Sequence, residues 1–420
     1  MAATLIGVVD TVMIAPLGTV ALAAAGITTA VLIIVISALW GLVTVVGVQI
    51  ATAEGAGDRA EVTAHVKSGL VLAVLAGGVG VVLMMAIYPF LRPMGQPPEV
   101  LAILLPYWGA MALWIVPFTV FFVLKGLFDA VGREWTGVAL SYLGVLINVP
   151  ANYVLIHVVG LGLLGAGLAS ILSQTVSLLA GVAVWRLSPR MASFRVPTPV
   201  SWSRVRMQMR ESLPLCLGYA GEGGAYAFIG IMVGWLGATA LAAHQVANAV
   251  AGLAYVIPLG MAGAVAIRIG QAIGEARQER LRPILKAGLL IVTVWQCGVA
   301  VLFVIGGRLI AETLSDDAEV VALAATLLLI LALMQIADGI QSTALGALRG
   351  MMDNRVPTAI TLLAYWPLAL PAAFVTGIVL DLGAAGVWLG YTVGIAVAAI
   401  ALPWRFWQNT AVGRYTTAAR

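Results

Sequence analysis

The 420-residue sequence predicts an all-α, polytopic membrane protein with twelve transmembrane helices in two homologous six-helix bundles. Three observations lead to this fold class: an apolar composition, an internal repeat and the distribution of basic residues. Hydrophobic residues make up 62% of the chain and charged residues 10%, and the mean hydropathy is +1.05. Soluble domains carry about 25% charged residues, so the composition indicates a chain that lies largely within a lipid bilayer.

The internal repeat shows that the chain consists of two related halves. The octapeptide Leu-Gly-Thr-Val-Ala-Leu-Ala-Ala at 17–24 returns as Leu-Gly-Ala-Thr-Ala-Leu-Ala-Ala at 236–243, an offset of 219 positions. The same offset relates Gly55 to Gly274. A two-fold repeat in a very apolar chain is typical of secondary transporters, which bind substrate where the repeats meet.

Runs of roughly 20 apolar residues mark the helices in order. In the first half we predict helices near 1–22, 28–50, 68–91, 101–124, 137–159 and 163–186. In the second half we predict helices near 212–235, 244–267, 286–308, 320–346, 358–380 and 385–408. Each half therefore supplies six spans.

The longest polar stretch separates the halves. Between Arg186 and Ser212 it carries six Arg and three Pro, a composition typical of a linker. The predicted organisation is an N-terminal six-helix lobe at 1–190, a basic cytoplasmic linker at 191–211 and a C-terminal six-helix lobe at 212–420.

The first helix is expected to be truncated. Helix seven begins near Ser212, eight residues before Ala220, which is the repeat partner of Met1. This difference corresponds to about two helical turns. A signal peptide is not expected, because the run has no charged n-region and contains Asp10.

Basic residues predict the orientation of the chain. Of the 22 Lys and Arg, only Arg92 and Arg308 fall in the connections between helices 3–4 and 9–10, whereas the other twenty lie at even-to-odd connections or at the C-terminus. By the positive-inside rule both termini are cytoplasmic, in a multi-pass protein of the inner or plasma membrane. This bias also explains the pI of about 9.2, so no nucleic-acid partner is predicted.

Three carboxylates lie within apolar spans: Asp10 in helix 1, Glu222 in helix 7 and Asp338 in helix 10. A charge at the bilayer centre costs about 2.5–3.5 kcal/mol on insertion scales. No Lys or Arg occurs in the middle of a span, so a proton, a metal cation or a cationic substrate must neutralise them. Alternatively, Asp10 could lie at a hydrated helix end, and Glu222, which glycines flank, could mark a helix break near the protein surface.

Amides accompany two of these acids. Gln335 and Gln341, at i−3 and i+3 from Asp338, share its face of helix 10. In helix 5, Asn148 and Asn152 are one turn apart on one face, with Pro150 between them freeing main-chain carbonyls.

Together with Asp10, the two asparagines could form a proton or substrate site in the first lobe. The alternative is interhelical hydrogen bonding alone, worth about 0.6 kcal/mol in membranes. Ser170 in helix 6 is a further candidate, although a membrane serine often bonds back to its own helix.

The chemistry is not duplicated between the halves. At the repeat offset Asn148 and Asn152 become Pro367 and Pro371. One lobe therefore carries Asp10 with the asparagines, and the other carries Glu222 with Asp338.

At these residues the chain resembles the multidrug and toxic compound extrusion (MATE) family, particularly its NorM-like branch, over nearly its whole length. The motifs that carry the resemblance are Val9-Asp10-Thr11, the octapeptide at 17–24, Asn148-Val-Pro-Ala-Asn152-Tyr153, Glu222 followed by 236–247, Ile257-Pro-Leu-Gly260, Arg268-Ile-Gly-Gln271, and Asp338 with Gly346-Ala-Leu-Arg349-Gly350.

The resemblance implies an antiporter that exports cationic or amphipathic compounds in exchange for sodium ions or protons. The family's N-lobe acid, helix-5 asparagines and helix-6 hydroxyl look like Asp10, Asn148, Asn152 and Ser170. Its C-lobe cation-site acids look like Glu222 and Asp338, which would form the sodium site. Some sodium-coupled members carry a Tyr one turn before the helix-10 acid, where this chain has Met334, and that departure argues against sodium.

The predicted partners are a small cationic or amphipathic substrate, the coupling cation and the lipid bilayer, and the protein is expected to be monomeric. No cofactor is predicted, because no Cys/His cluster, phosphate-binding glycine loop or ATPase cassette occurs in the sequence. Other readings are a lipid-linked or polar-metabolite flippase, which usually needs basic residues in its cavity, a channel, and an intramembrane enzyme. An intramembrane enzyme would need a nucleophile with a base, or a metal cluster, at membrane depth. The scattered histidines do not supply either, so enzymatic activity is not expected.

Overall fold

The computed structural model describes residues 2–93 and 95–411, and these residues form an all-α chain. Ten of the described helices are long and apolar enough to cross a membrane. Two further segments complete the predicted series: α1, whose apolar part is short, and α7, in which Glu222 and its glycines interrupt the apolar sequence. The chain divides into two compact units, Met1–Cys216 and Leu217–Arg420.

Unit 1 is built around α4, which packs against α2, α3, α5 and α6. Trp108 of α4 is fully buried and donates a hydrogen bond to the carbonyl oxygen of Met84 at 2.9 Å. Three 3-10 turns and one π-helical turn join or extend the helices: Ala15–Leu17, Tyr88–Phe90, Pro189–Phe194 and Val154–Val158. The helices are α1 (Ala2–Ile14), α2 (Thr19–Gly55), α3 (Arg59–Ile87), α4 (Pro98–Ala130), α5 (Glu134–Tyr153), α6 (Gly162–Leu187) and the first part of α7 (Trp202–Gly234).

Unit 2 is built around α10, which packs against α8, α9 and α13. The eleventh span alternates between α-helical and π-helical turns; its π turns are Ala364–Ala369 and Val375–Val379, and a 3-10 turn, Gln278–Arg280, precedes α9. With the remainder of α7, the helices are α8 (Ala238–Gly274), α9 (Leu281–Leu314), α10 (Ala318–Gly350), α11 (Arg355–Leu363), α12 (Leu370–Phe374) and α13 (Gly383–Ala411).

The octapeptide repeat marks the turns that precede α2 and α8. Gly18 has φ 98° and Gly237 has φ 109°, a backbone region that side chains other than glycine rarely adopt. The predicted boundaries at 22 and 28, and at 235 and 244, are therefore wrong: α2 begins at Thr19 and α8 at Ala238. Apolar residues continue through both turns, so hydropathy alone did not locate them.

The segment predicted as a linker is partly helical, since α7 begins at Trp202 and not near Ser212. Its first turns, which belong to unit 1, are polar on the face that contacts α3. Arg204 Nη2 bonds both carboxylate oxygens of Glu61, at 2.8 and 2.9 Å, and Gln208 bonds the carbonyl oxygen of His65 at 3.2 Å. Because these turns carry charged residues, a search for apolar runs does not detect this part of the helix.

Glycines allow α10 to approach α8 closely. A Cβ atom added at Gly346 would lie 2.2 Å from the carbonyl oxygen of Ala262, and one at Gly350 would lie 2.5 Å from that of Ala266. Both neighbours are main-chain atoms and cannot rotate away. Small residues at helix contacts are the usual means of close packing in membranes.

We expect Gly346→Ala to destabilise unit 2 by about 1–3 kcal/mol, because the added methyl group collides with the main chain of α8. The matched control is Gly260→Ala in α8, where no atom lies within 4 Å of the added Cβ. There the substitution should be neutral or stabilising, because a helical Ala is favoured over Gly by about 0.5–1 kcal/mol. Thermal unfolding in detergent micelles measures both, and equal melting temperatures would contradict the prediction.

Candidate functional site

Asp10 lies in α1, which packs against α5 and α6 in unit 1. Its side chain is half-buried. The three polar residues that the sequence assigned to the same site surround it: Asn148 and Asn152 project from α5, and Ser170 projects from α6. The structure therefore brings all four residues together.

Hydrogen bonds reach both oxygens of Asp10. Asn152 Nδ2 donates to Oδ1 at 2.7 Å, and Ser170 Oγ donates to Oδ2 at 2.9 Å. Asn152 also donates to Asn148 Oδ1 at 3.0 Å. These donors offset part of the cost of holding a carboxylate away from water. Asn152 Oδ1 is buried and has no hydrogen-bond partner among the described residues, so the cluster retains a free acceptor beside Asp10.

Glu222 of α7 and Asp338 of α10 lie together in unit 2. Both side chains are half-buried, and each carboxylate lies within electrostatic range of the other. Two acids at close range in an apolar unit repel each other unless cations or hydrogen-bond donors intervene.

Tyrosines surround this pair. Tyr365 is buried, lies within hydrogen-bonding reach of Glu222 and accepts a hydrogen bond from Gln341. Its ring stacks on Tyr391, with centroids 5.8 Å apart and ring planes inclined by 18°. Tyr226 and Tyr255 also lie within electrostatic range of Asp338. Hydroxyl groups can donate to an ionised carboxylate or accept from a protonated one.

Arg349 supplies a positive charge near Glu222. The sequence predicts it in a cytoplasmic connection, but it lies in the last turn of α10 with only 8% of its surface exposed. Its guanidinium donates to Tyr219 Oη at 2.5 Å, lies 4.3 Å from the centre of that ring and acts electrostatically on Glu222. The expectation that no basic residue meets these acids is therefore wrong for Glu222.

The two glutamines predicted beside Asp338 have different contacts. Gln341 bonds Tyr365, as described above. Gln335 donates to the carbonyl oxygen of Ala251 at 3.2 Å and accepts from Gln296, so it ties α10 to α8 and α9. The Oε1 atom of Gln341 is buried without a partner in the described part of the chain.

Oxygen atoms dominate the unit 2 site. Within residues 2–93 and 95–411, no group of three or more His, Cys, Asp or Glu could hold a metal ion. A cation between Glu222 and Asp338 would complete its coordination with tyrosine hydroxyl, amide or main-chain oxygens, which suit hard cations such as sodium. With both acids ionised and Arg349 positive, the site carries one net negative charge.

Part of the unit 2 site could have been predicted from helical spacing in the sequence. Tyr219 and Tyr226 lie at i−3 and i+4 from Glu222, on its face of α7. Tyr365 and Tyr391 come from distant helices, and Tyr107 of α4, which acts electrostatically on Asp10, does as well. Only the fold shows that these three face the acids.

The sequence model of the MatE family matches residues 1–154 and 214–375. A probable multidrug resistance protein NorM from Bradyrhizobium diazoefficiens is 33% identical over 420 residues, covering 94% of this chain and 88% of the relative. The multidrug resistance protein MdtK of Cronobacter sakazakii is 31% identical, covering 96% of this chain and 91% of that protein.

Solved structures share the fold. A MATE protein crystallised in a bent conformation superposes with a TM-score of 0.90 at 22% identity, covering 100% of this chain and 94% of that one. An outward-facing multidrug resistance MATE family transporter of the MOP superfamily superposes with a TM-score of 0.88 at 22% identity, covering 99% of this chain and 93% of that one.

We expect the Asp10 cluster to be energetically coupled. In a double-mutant cycle, Asp10→Ala and Asn152→Ala should show a coupling free energy of about 1.5–3 kcal/mol, because the bond they share involves a charged acceptor. Ser141→Ala in α5 is the control partner, since its hydroxyl bonds Gly137 of its own helix. Unfolding in mixed detergent micelles measures the cycle. A coupling no larger than that of the control pair would contradict the role of this hydrogen bond.

Proposed function

This chain belongs to the MATE family of transporters, and we propose that it exports cationic or amphipathic compounds from the cell in exchange for protons or sodium ions. It is a multidrug efflux transporter and not an enzyme, as its relatives named NorM and MdtK are multidrug resistance proteins. The coupling ion, the substrate class and the roles of individual residues are the proposed parts.

The half-buried carboxylates of the two units support this proposal. Among the described residues, Asp10 receives hydrogen bonds from the neutral donors Asn152 and Ser170, and Arg349 acts electrostatically on Glu222. An ionised carboxylate in a bilayer costs about 2.5–3.5 kcal/mol on insertion scales. Binding of a proton, a sodium ion or a cationic substrate removes this cost, so each site favours a positively charged ligand.

Exchange requires that ion and substrate favour different conformations of the transporter. A ligand that binds both conformations equally shifts no equilibrium. In the proposed cycle, an external cation neutralises the acids and favours release of the substrate outside. Release of that cation inside restores the charge that attracts the next substrate. The membrane potential adds about 2.3 kcal/mol per charge for every 100 mV.

The protein is a multi-pass membrane protein. We propose the cell membrane as its location, with both termini in the cytoplasm, because that orientation places nearly all Lys and Arg inside. Arg414 and Arg420, which contribute to this argument, lie outside the described residues. We propose that the protein is a monomer.

We expect Asp338→Asn and Glu222→Gln each to reduce ion-driven export of ethidium, a cationic dye, by at least roughly tenfold. The amide keeps the shape of the acid but neither takes up a proton nor attracts a cation. Asp316→Asn is the control, because Asp316 is exposed between α9 and α10. Everted membrane vesicles report dye transport by fluorescence. Export at the unaltered rate in both acid variants would refute their role.

The coupling ion can be assigned by imposing one gradient at a time on the purified protein in liposomes. Proton coupling predicts ethidium movement under a pH gradient in the absence of sodium. Sodium coupling predicts ethidium movement under a sodium gradient with no pH difference across the membrane. Asp10→Asn should reduce movement under the effective gradient, because its site loses the ionisable group. Movement under neither gradient, with dye still bound, would contradict coupled exchange.

A further inference from the structure

A cluster of arginines surrounds the end of α6 in unit 1. Arg186 lies in the last turn of that helix, and Arg190 lies in the 3-10 turn that follows it. Arg133, which precedes α5, donates to the main-chain oxygen of Arg190 at 3.5 Å. Arg195 donates to the main-chain oxygen of Arg186. Separate segments of the chain therefore bring four arginines to one end of the helix bundle.

Hydrogen bonds hold the turn that carries Arg190. Trp185 Nε1 donates to the main-chain oxygen of Phe194 at 3.2 Å, and Arg195 Nη2 donates to that of Ser188 at 3.0 Å. These two bonds tie the beginning and the end of the turn to α6. A ligand that binds Arg190 therefore needs to order little of the main chain, which favours binding.

Three of the arginines have positive charges that no acid neutralises by contact. The side chains of Arg133, Arg186 and Arg190 form no ion pair with a carboxylate in the described part of the chain. Arg186 and Arg190 are exposed. The guanidinium of Arg186 lies 5.6 Å from the ring centre of Trp185, and this contact leaves its charge in place.

The acids nearest to Arg133 in the sequence do not balance this charge. Asp129 forms an ion pair with Lys125 at 2.5 Å, so its charge is already compensated. Glu134 follows Arg133 at the start of α5 and supplies one negative charge. Set against four arginines, that charge leaves a surplus of positive charge at the end of α6.

Two large apolar side chains accompany the arginines. Trp135 in the first turn of α5 is 83% exposed, and Leu187 at the end of α6 is 77% exposed. The two helices pack against each other. This end of unit 1 therefore presents cationic and apolar groups together, a combination that suits a ligand with an anionic part and an apolar part.

Helix length places this surface at the edge of the bilayer. α6 has 26 residues, which corresponds to about 39 Å, whereas the hydrocarbon core of a bilayer is about 30 Å thick. Its ends therefore reach the layer of lipid headgroups, where tryptophan is enriched. The positive-inside rule assigns this end of α6 to the cytoplasmic leaflet.

We propose that Arg133, Arg186 and Arg190 bind the phosphate group of one anionic phospholipid. The glycerol and upper acyl chains of that lipid contact Trp135 and Leu187. Guanidinium groups bind phosphate oxygens through paired N–H donors, and anionic lipids attract basic residues beside a membrane span. The proposal goes beyond export, because the ligand is a component of the bilayer and not the transported compound.

Native mass spectrometry of the purified full-length protein measures the binding of single lipids. The probes are phosphatidylglycerol, which is anionic, and phosphatidylcholine with the same acyl chains. We expect phosphatidylglycerol to bind more tightly. Each arginine near an anionic headgroup contributes roughly fivefold in affinity, so Arg186→Gln combined with Arg190→Gln should weaken phosphatidylglycerol binding by roughly 25-fold. Binding of phosphatidylcholine should change by less than about twofold, because its headgroup has no net charge.

The matched control is Arg277→Gln combined with Arg280→Gln in the connection between α8 and α9. The positive-inside rule assigns these arginines to the same leaflet, but both already pair with Glu275, at 3.6 and 3.2 Å. The control should keep the wild-type affinity for phosphatidylglycerol. Equal losses in the two double variants would show that lipid charge attracts all these arginines alike, and unchanged affinity in both would show that none of them binds it. Either result would overturn the proposal.

Two further measurements keep the test decisive. A large excess of inorganic phosphate should not displace phosphatidylglycerol, because phosphate has no acyl chains to contact Trp135 and Leu187. Displacement would indicate a site for soluble anions and refute the assignment to a lipid. Should the double variant unfold, Arg190→Gln alone should keep the wild-type melting temperature in phosphatidylcholine micelles, since its side chain forms no ion pair with a carboxylate in the described residues. Its affinity for phosphatidylglycerol should fall by roughly fivefold, and an unchanged affinity would contradict the site.

Discussion

The cost of placing a carboxylate where water is scarce governs the polar architecture of this protein. Hydrophobic residues form most of the chain, so each acid within a helix must find donors, cations or protons close by. The positions of asparagines, tyrosines and Arg349 follow from that requirement. Helix packing brings these groups to the acids, and the same packing limits how many can reach them.

The two units satisfy this requirement with different chemistry on related scaffolds. In unit 1, two neutral side chains, Asn152 and Ser170, each hold one oxygen of Asp10. In unit 2, tyrosine hydroxyls and one guanidinium surround two acids. Neutral donors fix the orientation of a carboxylate without cancelling its charge, whereas Arg349 cancels charge. The repeat preserved the turn glycines and helix order while the polar residues diverged.

The sequence predicted the all-α fold, the two halves and the shared face of Asn148 and Asn152, because spacing along one helix determines which residues share a face. Asp10 lies on another helix, so its grouping with these amides was a hypothesis that spacing does not determine. It misplaced the starts of α2 and α8, since the turns at Gly18 and Gly237 are as apolar as the helices they separate. Tyr365 and Arg349 escaped detection for another reason. They come near Glu222 because α7 contacts α10 through Tyr219 and Arg349, and the eleventh span through Gly221 and Trp366, and no local pattern encodes these contacts.

The two acidic sites have the same formal charge when their acids are ionised. Unit 1 places one ionised acid, Asp10, among neutral donors. In unit 2, Arg349 acts electrostatically on Glu222, and Asp338 lies within range of Glu222, so the three groups together also carry one formal negative charge when both acids are ionised. Each site then reaches neutrality when it gains a single positive charge, whether a proton, a sodium ion or a monovalent cationic substrate supplies it. A second cation would create an uncompensated positive charge in an apolar unit, at a cost comparable to that of the original carboxylate. Under the proposed function, equal formal charge from unequal residues would favour the uptake of one cation per site.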